Sequence, residues 1–367
     1  MSRLNLINLF CVFLFAFANT SYAEDLLTFS LSKVYPYHEE YDGDFKQIDS
    51  DEANGIAYQD FYVFYASSTH VYRDQHSFNN RSKVINIAAL EFPSGIKCDH
   101  VGDIDITNDE VLVPVDHCAD GVARLVVLSK NLTYKRSARI PMLDNSFPWI
   151  AFNPLDKSRF YSVCCNTKQM KTFPIQFRDN AILGRSRDIV FKHHPTDEVN
   201  HFWTQGGSFS KNGLFFRVVD DAKDYHSEFT GIWVYEIDKL TSSQPTASRV
   251  GFINIQYDPD RWAPHCVFSQ CVRYEELEGI DTNASTNFYS YGDIHVLMLI
   301  NEIDRDNISI YHYLSGDYDH DGVKDTLDNC IWLANSNQFD GDNDGIGAAC
   351  DPNDIEIAGS NHEIKMF

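Results

Sequence analysis

The chain has 367 residues, 43% of them hydrophobic and 14% aromatic, enough for one large domain or two ordinary ones with a sizeable core. Asp and Glu number 53 against 30 Lys and Arg, a formal net charge of −23. Such a balance argues against nucleic acid or anionic lipid as a partner and towards cations.

At the N-terminus Arg3 precedes an apolar run from Leu4 to Ala18, and Ser21, Tyr22 and Ala23 form a small-x-Ala cleavage signal. The run is too short for a lone membrane anchor, is broken by Asn5 and Asn8, and predicts export with cleavage before Glu24. No later stretch is long and apolar enough to span a membrane. The mature product is expected to be secreted, periplasmic or at the cell surface, with a formal charge of about −24 once Arg3 is removed.

Cys11 leaves with the leader, so eight cysteines remain, an even number that suits disulfides in an exported chain. Nearness in sequence suggests Cys98 with Cys118, Cys266 with Cys271 and Cys330 with Cys350. The adjacent Cys164 and Cys165 are paired to each other or free. A zinc ribbon would need two short-spaced cysteine pairs, which the sequence does not offer.

From Glu24 to about Tyr313 short runs of aromatic and β-branched residues alternate with turn residues, and no segment holds a helical period. Five segments vary one theme. They begin at Asn54 (NGIAYQDFYVFY), Val101 (VGDIDITNDEVLVPVDH), Pro148 (PWIAFNPLDKSRFYSV), Gln205 (QGGSFSKNGLFFRVV) and Glu278 (EGIDTNASTNFYSYGDIHVLMLINE). Their spacing is close to that of one four-stranded blade of a β-propeller, about 40 to 50 residues. The predicted fold class is therefore all-β, a five- or six-bladed propeller over 24–313. GFINIQYDP and the Cys266 to Cys271 loop offer a degenerate sixth blade, and LLTFSLSKVY offers a strand to close the ring. The alternative is a plain β-sandwich followed by an irregular subdomain. Through NGIA, GDID, PW-x-A-x-NP, QGG-x-FS and LEGI, the region resembles the secreted propeller domains of bacterial proteins, a likeness of architecture that implies no activity.

The phrases opening the repeats place Asn54, Asp103 with Asp105, Gln205 and Glu278 where innermost strands would begin. Oxygens from several blades could hold one divalent ion on the axis through Asn54, Asp103, Gln205 and Glu278. Such an ion would act on an ester or lactone, as in calcium-dependent propeller lactonases. The plainer expectation is that these groups satisfy backbone. His193, His194 and His201 are expected in an exposed connection, and His100 and His117 as structural or loop residues. Trp149, Trp203, Trp233 and Trp262 lie in or near turns, more as core than as a ligand surface.

The most explicit chemistry lies between Asp317 and Asp351. Counting from Asp317, acidic side chains take positions 1, 3 and 5 (Asp317, Asp319, Asp321), Gly322 takes 6, Val323 offers its carbonyl at 7, and Asp325 and Asp328 take 9 and 12. A second loop repeats the count with Asp340, Asp342, Asp344, Gly345, Ile346 and Asp351, and has Ala348 at 9. Converging Asp oxygens about a glycine turn are the ligand pattern of calcium, a hard cation that takes about six to eight oxygens. An EF-hand would carry a glutamate at 12 and flanking helices, and a dockerin would need helices after each loop.

These loops resemble a thrombospondin type 3 repeat. Its DxDxDG loop, DNC, Asn, Gln, second DxDxDG loop and final Cys-Asp are matched by Asp328, Asn329, Cys330, Asn335, Gln338, Cys350 and Asp351. The resemblance implies a Cys330 to Cys350 disulfide around calcium. It defines a module over 314–354 with a tail over 355–367, and it implies that calcium organises the segment. The resulting expectation is an exported calcium-binding protein whose propeller serves binding or adhesion, with an extracellular protein or a glycan as partner. The competing expectation is the metal-dependent hydrolase.

Overall fold

Runs rich in Val, Ile, Phe and Tyr, broken by Gly, Pro, Asn or Asp, favour extended chain over helix. In the computed structural model every named element is a β-strand. The structure describes residues 27, 29–37, 53–59, 62–75, 81–92, 95–107, 109–140, 143, 145–163, 169–174, 177–178, 181–182, 185–192, 202–221, 230–238, 245–255, 265–267, 270–272, 275–282, 293–301, 306–351 and 354. The expected leader, Cys164, Cys165, His193, His194, His201, Trp262 and the expected tail lie outside the described residues.

Strand β1 (Phe29–Tyr37) is followed by a four-stranded meander, β2 (Ala53–Gln59), β3 (Tyr62–Ser67), β4 (His70–Gln75) and β5 (Arg81–Asn86). In the second unit β6 (His100–Val101) and β7 (Asp105–Ile106) both pair with β8 (Glu110–Asp116), which continues to β9 (Arg124–Ser129) and β10 (Tyr134–Arg139). The third comprises β11 (Ala151–Phe152), β12 (Arg159–Val163), β13 (Gln169–Pro174) and, after the small hairpin β14 (Phe177–Arg178) and β15 (Ala181–Ile182), β16 (Arg187–Lys192). The fourth is β17 (Phe202–Phe209), β18 (Phe215–Asp221), β19 (Gly231–Ile237) and β20 (Thr246–Asn254). A two-stranded hairpin, β21 (His265–Val267) with β22 (Gln270–Val272), precedes the last unit, β23 (Glu275–Asp281), β24 (Ile294–Asn301) and β25 (Asp306–Ser315). Its fourth strand is β1, antiparallel to β25 from Phe29 opposite Ser315 to Tyr37 opposite Ile308.

The first strands close a ring: β2 touches β7 and β23, β11 touches β7 and β17, and β17 touches β23. Packing follows the same circle. Val111, Val113 and Val115 of β8 join Phe64 and Val71 of the first unit, while Leu112 between them joins Phe160 and Phe173 of the third. Tyr161, Met170 and Phe191 pack on Phe215 and Tyr235, and Phe216 and Val234 pack on Val296 and Met298. Leu297 and Leu299 turn the other way, onto Ile56 and Tyr58 of the first unit, and so complete the circuit. Because strand side chains alternate, each sheet fills a core on both faces, which a two-layer sandwich would not require. Among the described residues the strands form five blades of a propeller, the last completed by β1.

The expected sixth blade is not formed among the described residues. Thr246–Asn254, which contains the start of GFINIQYDP, completes the fourth blade against β19, and the cysteine loop is the separate hairpin β21 and β22. That hairpin sets Cys266 opposite Cys271, and their side chains lie outside the described set.

Candidate metal centre

After β25 the chain leaves the sheet and winds through turns from Gly316 to Asp351, where repeated spacing gives repeated backbone. Positions 4 and 6 of both loops are left-handed, His320 (φ 60°) and Gly322 (φ 95°) in the first, Asn343 (φ 59°) and Gly345 (φ 93°) in the second. Asn and Gly tolerate this region best, as the sixth position requires. The hydrogen bonds match as well. Gly322 N–H donates to Asp317 Oδ2 and Gly345 N–H to Asp340 Oδ2, each at 2.9 Å. Asp321 N–H donates to Asp319 Oδ1 and Asp344 N–H to Asp342 Oδ1, each at 3.1 Å. Val323 and Ile346 at position 7 donate to Asp321 Oδ1 and Asp344 Oδ1.

These turns gather carboxylates. Asp317, Asp319 and Asp321 bring ligand atoms within 4.8 Å of one another, as do Asp342, Asp344 and Asp351, and Asp340, Asp342 and Asp354. Asp325 and Asp328 are buried: Asp325 Oδ1 accepts Tyr318 N–H, and Asp328 Oδ1 accepts Cys330 N–H and Gln338 Nε2. Asp319 Oδ2, Asp325 Oδ2 and Asp340 Oδ1 are shielded from solvent yet accept no hydrogen bond. Shielded acceptors without donors are costly, and a hard divalent cation is the group that would satisfy them. The donor set, all oxygen, fits calcium.

The electrostatics agree. Desolvation raises Asp319, against the Asp321 N–H hydrogen bond that lowers it, with the Asp321, Asp328 and Asp317 carboxylates pushing the same way as burial. Burial, with Asp317, Asp328 and Asp319 nearby, lifts Asp325 to about 6. The Asp344 N–H bond pulls Asp342 down, but desolvation and the Asp344, Asp354 and Asp340 charges prevail and raise it. A cation would relieve this crowding.

The loops are tied to each other and to the propeller. Cys330 and Cys350 form a disulfide with Cα atoms 5.7 Å apart, and Asn329, Asn335 and Gln338 interlock beneath it. Asn212 Nδ2, on the turn between β17 and β18, donates to the carbonyls of Asp325 (2.6 Å) and Asp328 (2.7 Å). Tyr318 and Ile331 pack on the core between the fourth and fifth blades. Thr326 and Ser315 donate to the buried Asp293. A cleft of about 680 Å³ runs between the two parts, lined by Leu155, Tyr161, Asn212 and Glu236 on one side and Trp332 and Asp344 on the other.

Near the axis, Asn54, Asp103, Asp105 and Asp281 hydrogen-bond to backbone groups. Asp103 Oδ1 accepts Ile56 N–H (2.9 Å) and Oδ2 accepts Ile280 N–H (3.2 Å), so one carboxylate bridges the first and fifth blades. A Cβ on Gly55, Gly206 or Gly279 would lie within 2.8 Å of its oxygens, so the ring closes tightly around it. Asp105 accepts Phe152 N–H, Asp281 accepts Tyr58 N–H, and Asn54 Nδ2 donates to Val101 O. Glu278 is buried and Gln205 half-buried on neighbouring strands. Desolvation raises Asp103 and Asp105 far above the ordinary carboxylate range. Trp149 and Trp233 are core residues, and Trp332, edge-on to Tyr318 at 4.7 Å, is exposed.

Two features lay beyond the sequence reading. Asp354 joins the second loop from outside its twelve-residue count. His100 and His117 meet around Asp116, and the Asp-His pair beside a cysteine in both Cys98-Asp99-His100 and Asp116-His117-Cys118 was the available signal.

No family model matches the chain, and no curated protein does. Among solved structures it is similar to the N-terminal domain of Nup159, at 8% identity over 79% of this chain and 96% of that one, TM-score 0.34. It is likewise similar to the WD40 domain of Pan2 from Neurospora crassa, at 8% identity over 78% and 96%, TM-score 0.34. A protein of unknown function from Bacteroides caccae matches at 12% identity over 54% and 86%, TM-score 0.29. At these scores the likenesses carry no argument about this chain.

Proposed function

We propose that this is an exported calcium-binding protein in which calcium structures the C-terminal loops and the propeller is a scaffold for binding or adhesion. The observation that supports it best is the pair of matching aspartate turns whose shielded oxygens, Asp319 Oδ2, Asp325 Oδ2 and Asp340 Oδ1, have no donor. Asp317, Asp319, Asp321, Asp325 and Asp328 would hold the ion of the first loop, and Asp340, Asp342, Asp344 and Asp351 that of the second. The ion supplies charge neutralisation and a rigid centre, because Ile331, Trp332 and Phe339 give this segment little core of its own.

One wall of the cleft beside Trp332 belongs to the calcium loops, so the ion would also shape a surface on which an extracellular protein or glycan could dock. Calorimetric titration of calcium into metal-free protein, beside the double variant Asp321→Ala with Asp344→Ala, tests the reading. Binding in the wild type and its loss in the variant are expected. Undiminished binding in the variant would move calcium elsewhere.

A further inference from the structure

The Cys98 to Cys118 disulfide joins two triplets that each carry an Asp-His pair beside the cysteine, and the pairing of β6 with β8 sets His100 opposite Asp116. Four polar side chains are thereby brought to one small area. His100 Nδ1 lies 2.6 Å from Asp116 Oδ1, and His117 Nε2 lies 4.0 Å from the same oxygen. His117 Nδ1 lies 3.9 Å from Asp99 Oδ1. The two imidazoles stack with centroids 4.8 Å apart.

We infer that His100, Asp116 and His117 form a binding site for a borderline-soft divalent transition ion, Zn²⁺ or Cu²⁺, separate from the calcium loops. Imidazole with carboxylate suits these ions, whereas calcium prefers oxygen alone. Ligands about 2.0–2.1 Å from a tetrahedral zinc lie about 3.3 Å apart. The His100–Asp116 pair must open and the Asp116–His117 pair close by less than an ångström each, and the two imidazole nitrogens, within 4.8 Å of each other, must close by at most about 1.5 Å to the same spacing.

Three observations support a site over a fortuitous pair. Asp116 is buried and its Oδ2 is held by Phe147 N–H at 2.6 Å, which fixes the ligand oxygen. His117 sits at φ 50°, a conformation that turns its ring back over His100 and that a residue other than Gly adopts at some cost. Asp99 Oδ1 lies 3.9 Å from the second nitrogen of His117, and side-chain rotation would bring it into the place of the outer partner that metal-bound histidines usually have. With His117 largely exposed, three protein ligands leave a fourth position open to water or a ligand atom. His100 Nε2 also lies 3.4 Å from Asn54 Nδ2, so the site stands beside innermost strand β2 where it enters the ring.

The test uses untagged full-length protein saturated with calcium, titrated with Zn²⁺ by calorimetry and with Cu²⁺ by electron paramagnetic resonance. One equivalent of Zn²⁺ is expected, with nitrogen couplings from two imidazoles on copper. His117→Asn keeps a residue that tolerates the left-handed backbone and should weaken zinc binding by well over tenfold and remove one imidazole coupling. Asp99→Asn should weaken it by about tenfold. Asp321→Ala with Asp344→Ala should leave it unchanged, which separates this site from the calcium reading. No zinc binding, or equal binding by His117→Asn, would overturn the inference.

Discussion

Because both oxygens of Asp103 accept backbone N–H groups, from Ile56 in one blade and Ile280 in another, Asp103→Ala would strand two buried donors. The expected loss is about 2–4 kcal/mol of stability, read as a lowered denaturation midpoint. Asp103→Asn, which keeps one acceptor oxygen, should lose roughly half of that. Asp325 carries a prediction about pH. Its carboxyl is lifted from the ordinary 3.8 to about 6 in the folded, metal-free chain, so folding favours the protonated form. Its contribution is full below about pH 4 and is lost as pH rises through about 6, a change of order 1–3 kcal/mol. Thermal melts in chelator should show the C-terminal loops less stable at pH 7.5 than at pH 4.5, and Asp325→Asn should flatten that slope. Calcium should reverse the trend, since it favours the ionised form. The aspartates at positions 1, 3 and 5 were legible because an irregular loop converges only at set spacings. Asp354 was not, because its approach depends on where the chain goes after the twelfth position.

At the scale of elements, the Cys330 to Cys350 bridge closes a loop with little apolar filling. The chain-entropy model assigns such a loop about 3 kcal/mol, so a Cys330→Ala with Cys350→Ala variant should need several-fold more calcium to resist proteolysis. The first strand of each blade was readable from its opening phrase, for a turn residue followed by alternating apolar positions marks the start of a strand. The outer strands were not. The segment from Gly251, GFINIQYDP, was open to reading as part of a degenerate sixth blade because its run is as apolar as an innermost strand, although the fourth repeat had offered only three strands and needed a partner for β19. The meeting of His100 with Asp116 was equally hidden, since it arises from cross-strand register rather than from any helical or loop period.

For the molecule as a whole, the five inter-blade cores and the thinly packed aspartate loops predict two levels of stability. Limited proteolysis in chelator should cut between Gly316 and Asp354 while the propeller persists, and equal resistance with and without chelator would count against calcium as the organiser of the loops. Removing 29–37 takes away the partner of β25 and exposes its edge, so the shortened chain should aggregate or melt at lower temperature, checked by light scattering and calorimetry. That pairing also sets a timetable. The outermost strand of the last blade comes from one end of the chain and its partner from the other, and contacts so distant in sequence form slowly. A partly synthesised chain has no complement for β1, so the ring stays open until β25 is present, and Ser315 at the end of that strand leads directly into the first aspartate turn. Closure of the ring and the start of the aspartate turns thus fall at one place in the chain, so the proposed ion site is expected to form only as the last blade does.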